Sequence, residues 1–247
     1  MPDLPNSQGP FTLPQIEDAA RELDGKTPQE VLRWAVKTFF PKLTMATAFG
    51  AEGNCIIHML AEIEPRVRIF NLETGYQFQE TLELRERIHE RYGIAVELVR
   101  PELTVAEYEK KHGQPLYNSN PNQCCFDRKI VPLRKAVRGY EAWISAIRKD
   151  QTSHRGQAKV VQWDPKFELV KINPLLSWTK KDVWNFIFKH DVPYNPLHDQ
   201  GFPSIGCWPC TEPVDAGDDE RSGRWKGSAK KECGLHVIEE QQHGSGI

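Results

Sequence analysis

Apolar positions along this chain switch repeatedly between a period of two and a period near 3.6, the signature of strands alternating with helices. Leu43 to Phe49 is a strand-like run that passes through Gly50-Ala51-Glu52-Gly53 into an amphipathic helix ending near Ile63, and Val67 to Leu72 forms the next strand. A helix over 77–92, a strand from Ala95 to Val99 and a helix over 104–112 continue the alternation. Ala142 to Ile147 then supplies a buried strand after a helix begun near Asp127. Ahead of them, residues 12–40 predict two short packing helices, the second with Thr27 as N-cap, Pro28 at its first position and Phe40-Pro41 as its stop. Such alternation predicts an α/β fold with a doubly wound, mostly parallel sheet that binds ligands at the carboxyl ends of its strands.

The second half is less regular. Lys159 to Val161 and Phe167 to Ile172 predict a hairpin, and Ser177-Trp178-Thr179 caps a helix running to about Lys189. A proline-rich loop over 192–210 follows, and residues 211–247 are polar without periodicity. We therefore expect one domain over residues 1–210, with residues 1–41 as its N-terminal helices, and a flexible C-terminal tail over 211–247.

Charge narrows the function. Thirty-two Lys and Arg against 34 Asp and Glu in 247 residues give a net charge of -2, which does not make the footprint of a general nucleic-acid binder. No apolar segment approaches the roughly 18 residues that span a bilayer, and the N-terminal residues have no cationic stretch leading into an apolar run. The expectation is a cytoplasmic protein with no nucleic-acid or membrane partner. In a reducing compartment a Cys-x-x-Cys marks metal or redox chemistry more often than a structural disulfide.

Five of the six cysteines fall in three clusters: Cys124-Cys125, Cys207-Trp208-Pro209-Cys210, and Cys233 within Lys231-Glu232-Cys233-Gly234-Leu235-His236. The first two clusters offer four soft thiolates. Two adjacent thiolates would be strained on one zinc, whereas a cubane presents separate iron atoms, so an iron-sulfur cluster is favoured with zinc as the alternative. Cys124 and Cys125 precede a predicted helix start whose dipole would favour thiolate. Cys233 has basic neighbours in Arg221, Arg224, Lys230 and Lys231, which mark it as a nucleophile rather than a bland tail thiol. Cys55, among Ile56, Ile57 and Leu60, is a core thiol. The glycine loop could receive a phosphate at the following helix or simply satisfy a steric turn; it matches neither Gly-x-Gly-x-x-Gly nor a Lys-Ser/Thr phosphate loop. Arg148 and Arg155 bracket a loop beyond the strand ending near Ile147, either as anion-binding forks or as solvated cations.

From Leu43 to His236 the chain resembles the assimilatory sulfonucleotide reductases, most closely the bacterial-type iron-sulfur branch that reduces adenosine 5'-phosphosulfate (APS). The blocks that carry the resemblance are Thr47 to Gly53, Glu73-Thr74-Gly75-Tyr76, Cys124-Cys125 with Arg128-Lys129, Arg148 to Arg155, Asn173-Pro174-Leu175, Trp178 to Trp184, Pro193 to His198, Ser204 to Cys207, and Lys231 to His236. The resemblance implies the adenine-nucleotide α-hydrolase (PP-loop) type of fold. It implies a 4Fe-4S cluster on Cys124, Cys125, Cys207 and Cys210, and substrate binding by Phe49, Gly50, Glu73, Thr74, Gly75, Arg148, Arg155, Arg221 and Arg224. Cys233 would attack the sulfate sulfur and expel AMP, with Lys129 and His236 assisting. A thioredoxin or glutaredoxin-type reductant would then release sulfite. A cluster with charge -2 at roughly 7 Å and an effective dielectric near 20 would repel one sulfate charge by about 5 kcal/mol, and Lys129 is the cation placed to offset it.

This chain departs from the family where Gly53 replaces the second residue of a common acidic pair and Glu73 stands for the usual aspartate. The competing readings are a reductase of 3'-phosphoadenosine 5'-phosphosulfate (PAPS) or of both substrates, an ATP-dependent tRNA-thiolating enzyme, and a non-catalytic iron-sulfur sensor. Whether the chain forms a homo-oligomer stays open.

Overall fold

In the computed structural model, which describes residues 11–215, 217–227, 230 and 234–235, the predicted alternation becomes a six-stranded sheet flanked by helices. Helices α1 (Leu13–Leu23) and α2 (Pro28–Phe39) lead into β1 (Leu43–Thr47), α3 (Ala51–Ile63), β2 (Arg68–Leu72), α4 (Gln79–Tyr92), β3 (Glu97–Val99) and α5 (Val105–His112). Next come α6 (Leu116–Ser119), α7 (Pro121–Cys125), a π-helical turn over Phe126–Ile130, α8 (Val131–Ala136), β4 (Ala142–Ile144), β5 (Val161–Asp164), β6 (Leu169–Ile172) and α9 (Lys180–His190). The predicted starts of α2 and α9 are capping boxes. The Thr27 hydroxyl accepts from the Glu30 N–H at 3.3 Å, and the Glu30 carboxylate accepts from the Thr27 N–H at 2.8 Å; Thr179 and Asp182 repeat the pattern.

Strand order is β3-β2-β1-β4-β6-β5, parallel throughout except that β5 and β6 form the predicted antiparallel hairpin. Both faces are covered because side chains alternate along each strand. Leu43, Met45, Ile69, Ile144, Val170 and Ile172 enter the larger core under α2, α3 and α9, while Phe70, Leu72, Trp143 and Leu169 face a second core with Ile130 and Leu133. The chain runs outward from β1 to β3 and then returns to place β4 on the other side of β1. That reversal opens a crevice beyond the carboxyl ends of β1 and β4.

Two expectations about the chain path change. The helix expected from about Asp127 starts at Pro121, with the Asn120 side chain accepting from the Gln123 N–H at 3.0 Å, so Cys124 and Cys125 lie inside a helix rather than ahead of one. Asn120-Pro121 is the stop-and-start signal that apolar periodicity overlooked. The described part of the expected tail is folded against the domain: Trp225 is buried, its N–H donates to the Cys210 carbonyl at 3.1 Å, and Glu212 N–H donates to the Gly223 carbonyl at 2.9 Å. Turn hydrogen bonds and the Arg224, Arg221 and Lys230 cations around the Trp225 ring hold this segment, and neither leaves a periodic trace in sequence. Cys233 and His236 lie outside the described residues.

Candidate active site

The crevice is walled by the β1–α3 loop, the ends of β2 and β4, and residues from the 203–224 segment. On the first wall, Phe49 takes a left-handed backbone conformation (φ 55°) that non-glycine residues seldom adopt, compensated by burial of its ring in the larger core and by an N–H···Oγ1 bond to Thr47 of 3.0 Å. Its side chain is an anchor, and the loop it fixes presents Gly50 to the crevice as the N-cap of α3. No side chain caps that end, so first-turn N–H groups and the helix dipole face the space. Gly53 has a steric reason: a Cβ there would lie 2.9 Å from Thr47 Oγ1, so the departure from an acidic residue lets α3 approach β1.

Beyond β4, Arg155 lines the crevice but Arg148 does not. Arg148 is only 2% exposed, and its guanidinium is taken by Glu52, by Asp150 at 2.8 Å and by Glu220 at 3.3 Å. A guanidinium so occupied organises the wall and has no free edge for an anion. Gln151 links the two arginines, donating to Glu52 at 3.0 Å and accepting from Arg155.

After β2, Glu73 also turns away from the crevice. One oxygen accepts from the Gly75 N–H at 2.6 Å and the other from Arg100 at 3.2 Å. Gly75 itself is required: at φ 79°, a Cβ would lie 3.1 Å from the Arg128 guanidinium and closer still to Val105. Thr74, in contrast, is central. Its hydroxyl lies 3.3 Å from Cys207 Sγ and its carbonyl accepts from Arg128 at 2.6 Å.

Cys124, Cys125, Cys207 and Cys210 line one small cavity adjoining the crevice. Cys124 and Cys125 reach it from α7. Cys207 and Cys210 come from a tight turn tied to the chain after β2 by a Trp208 N–H to Tyr76 carbonyl bond of 2.8 Å. Burial pushes the Cys124 thiol up to about 11, with Cys207 and Cys210 adding to the rise and Lys129 and Arg128 opposing it. The helix start expected after the cysteines lies ahead of them at Pro121, and desolvation sets the direction. Burial likewise raises Cys210, followed by the neighbouring Cys207, and raises Cys55, which is fully buried as expected. Among the described residues no three His, Cys, Asp or Glu side chains form a group that could hold a single metal ion.

Thr74, Lys129, Cys207 and Arg224 face both the crevice and the cysteine cavity. Lys129 stands on the π-helical turn, whose extra residue re-aims the following side chains, a device frequent at functional sites. Arg221 and Arg224 approach from the far wall, where Arg224 donates to Ser204 Oγ and the Ile205 carbonyl, each at 3.3 Å, and packs against Gly206 so that a Cβ there would push its guanidinium aside. Leu235 lies on the crevice wall, and the carbonyl of Gly234 before it accepts from Lys166 at 2.8 Å.

Some residues of the site were not foreseen. Arg128, 3% exposed and stacked over Tyr76 and Tyr108 at 5.3 and 5.0 Å, is a buried cation beside the cysteines. His198, within the Pro193 to His198 block, donates from Nδ1 to the Phe202 carbonyl at 2.8 Å, and burial lowers its pKa. Ser204 and Arg128 lie in blocks that carry the resemblance but had been given no role, and Glu220 carried no sequence signal.

The phosphoadenosine phosphosulfate reductase domain model matches residues 42–213. The chain is 48% identical to phosphoadenosine 5'-phosphosulfate reductase of Gloeobacter violaceus, over 90% of this chain and 93% of that one. It is 49% identical to adenosine 5'-phosphosulfate reductase 2 of Bacillus subtilis, over 84% of this chain and 88% of that one. Among solved structures it is similar to a phosphoadenylyl-sulfate reductase from Candida auris in complex with phosphate, with TM-score 0.73, 33% identity, and coverage of 83% of this chain and 98% of that one.

Proposed function

Since this chain belongs to the phosphoadenosine phosphosulfate reductase domain family, we propose that it reduces APS to sulfite and AMP in sulfate assimilation, through a cysteine S-sulfonate. The observation that carries the reading is Lys129, which faces both a crevice at the sheet's switch point and a cavity lined by four cysteines. An anion bound in the crevice meets cations from three segments: Lys129, Arg155, and the pair Arg221 and Arg224.

Cys124, Cys125, Cys207 and Cys210 suit a 4Fe-4S cluster. They are four soft donors lining one space, and each could meet its own iron. When bound, the cluster supplies a fixed negative charge and a rigid tie between α7 and the Cys207 turn.

The chain's own residues supply the reaction. The Cys233 thiolate attacks the sulfur of APS, the S–O bond to AMP breaks with its electron pair, and AMP leaves as an anion. A thioredoxin or glutaredoxin-type dithiol then attacks the Cys233 sulfur, expels sulfite, and closes to its own disulfide, so the dithiol supplies both electrons. Lys129 and the crevice arginines hold the sulfonyl oxygens and offset charge as the S–O bond stretches. His236 would help keep Cys233 ionised. Cys233 and His236 enter by sequence, supported by the placement of Leu235 on the crevice wall.

The cytoplasm is the expected compartment, and no described helix is long and apolar enough to cross a membrane. Reduction of PAPS is the second reading, because the Gloeobacter relative at 48% identity carries that name. The four thiols favour APS, as the resemblance implies. Anaerobic protein incubated with APS and no reductant should gain a sulfonate-sized mass at Cys233, and Cys233→Ser should gain none while keeping its iron. Sulfite release from APS should exceed that from PAPS in a parallel assay. A wild type that turns over APS without any mass gain would remove the covalent step, and equal efficiencies would make the enzyme dual-specific.

A further inference from the structure

Glu220, like Glu52, places a carboxylate on the wall of a crevice that also carries four cations, where it would repel a sulfonucleotide unless its charge were used elsewhere. It is used elsewhere. One oxygen meets Arg148 at 3.3 Å and the other meets Lys180 at 3.1 Å. Arg148 is buried and also holds Glu52, in the first turn of α3 beside the glycine loop, and Asp150. A buried guanidinium left with one carboxylate fewer would be costly, so this junction has one favoured arrangement. Glu220 is followed directly by Arg221, and Arg224 is one turn on; both reach toward Ser204.

We propose that Glu220 is a positioning residue that, through buried Arg148, holds Arg221 and Arg224 in register with the glycine loop, so that nucleotide and sulfonyl ends of the substrate are gripped together. The proposal rests on the crevice being a sulfonucleotide site. It adds that the grip on the sulfonyl end depends on an ion pair whose charges are spent on each other.

The test compares two ligands, because AMP occupies the nucleotide end without a sulfonyl group. Glu220→Gln keeps the shape and removes the charge. Its KM for APS should rise on the order of tenfold, the loss of one charge-assisted contact, while the inhibition constant of AMP stays within about twofold and iron content is unchanged. Glu220→Asp should recover part of the loss. Should Glu220→Gln not fold, Lys180→Met removes the outer contact and should raise the KM for APS by about twofold, again sparing AMP. Equal weakening of APS and AMP, or no change in either, would overturn the positioning role while leaving the proposed function standing. A wild type that releases no sulfite from APS would overturn both.

Discussion

The two walls of the crevice are held in place by different forces. The β1–α3 wall is seated by apolar burial: Phe49 lies in the larger core, and Gly53 lets α3 close on β1. The opposite wall, from Ser204 to Trp225, has few buried apolar side chains and is held by Arg224 on Ser204 and Ile205, by cations around Trp225, and by Glu220 on Arg148. Burial is spread over many contacts and tolerates small losses, whereas a charge-held wall depends on a few groups whose worth changes with each one removed. The first wall should therefore fail through stability and the second through substrate binding and rate.

Lys129 sets the largest expected effect, because it stands where the charge-held wall meets the cysteine cavity. Lys129→Ala should lower kcat/KM by roughly 10²- to 10³-fold, the scale of removing one preorganised cation from a developing anion. Iron per chain and melting temperature should stay close to wild type. Loss of iron in step with loss of rate would make Lys129 a support of the cysteine cavity and erase its part in the contrast.

The apolar side gives the opposite signature. Leu32 on α2 is fully buried in the larger core and does not line the crevice. Leu32→Ala should destabilise the protein by about 2 to 5 kcal/mol in denaturant unfolding, with the KM for APS unchanged. A raised KM at unchanged stability would show the core and the charge-held wall to be coupled.

The same division governs what could be read from the chain. Strands and helices of the first wall announce themselves through period and caps, as at Thr27-Pro28 and Thr179. The two cysteine pairs and Lys129 stand out in sequence because each pair's spacing and the basic residue four positions after Cys125 are local facts, while only the fold brings the pairs to one cavity. The resemblance implies that Arg148 binds substrate, and its position in a loop at a strand's carboxyl end fits an anion ligand or a solvated cation equally. Only the fold shows that Glu52 and Glu220, nearly 100 and more than 70 residues away, occupy it. Glu73 misled for a similar reason, since Arg100 and the Gly75 N–H take its oxygens. Long-range charge pairing has no period, so it stays hidden until topology brings the partners together.

The smallest effect expected is a pH dependence of stability on the apolar side. His58 on α3 lies with Nδ1 3.1 Å from the Tyr92 hydroxyl and packs against Phe186 and His190 at ring separations of 5.4 and 5.1 Å. Burial lowers its pKa below the ordinary 6.5; Glu62 opposes that shift, while His190 and Arg91 add to it. With the folded value below the unfolded one, the unfolded chain takes up a proton first on acidification, so stability falls as pH drops through the unfolded value toward the folded one. Above that range both states hold a neutral ring and the contribution is flat. Melting temperature should accordingly decline between roughly pH 7.5 and 5.5 more steeply in wild type than in His58→Gln, the window in which histidine titrates. Because Glu62 counters part of the shift, the difference in slope should be modest. Parallel slopes for the two proteins would place the acid sensitivity elsewhere, and a steeper slope in the variant would reverse the sign assigned to His58.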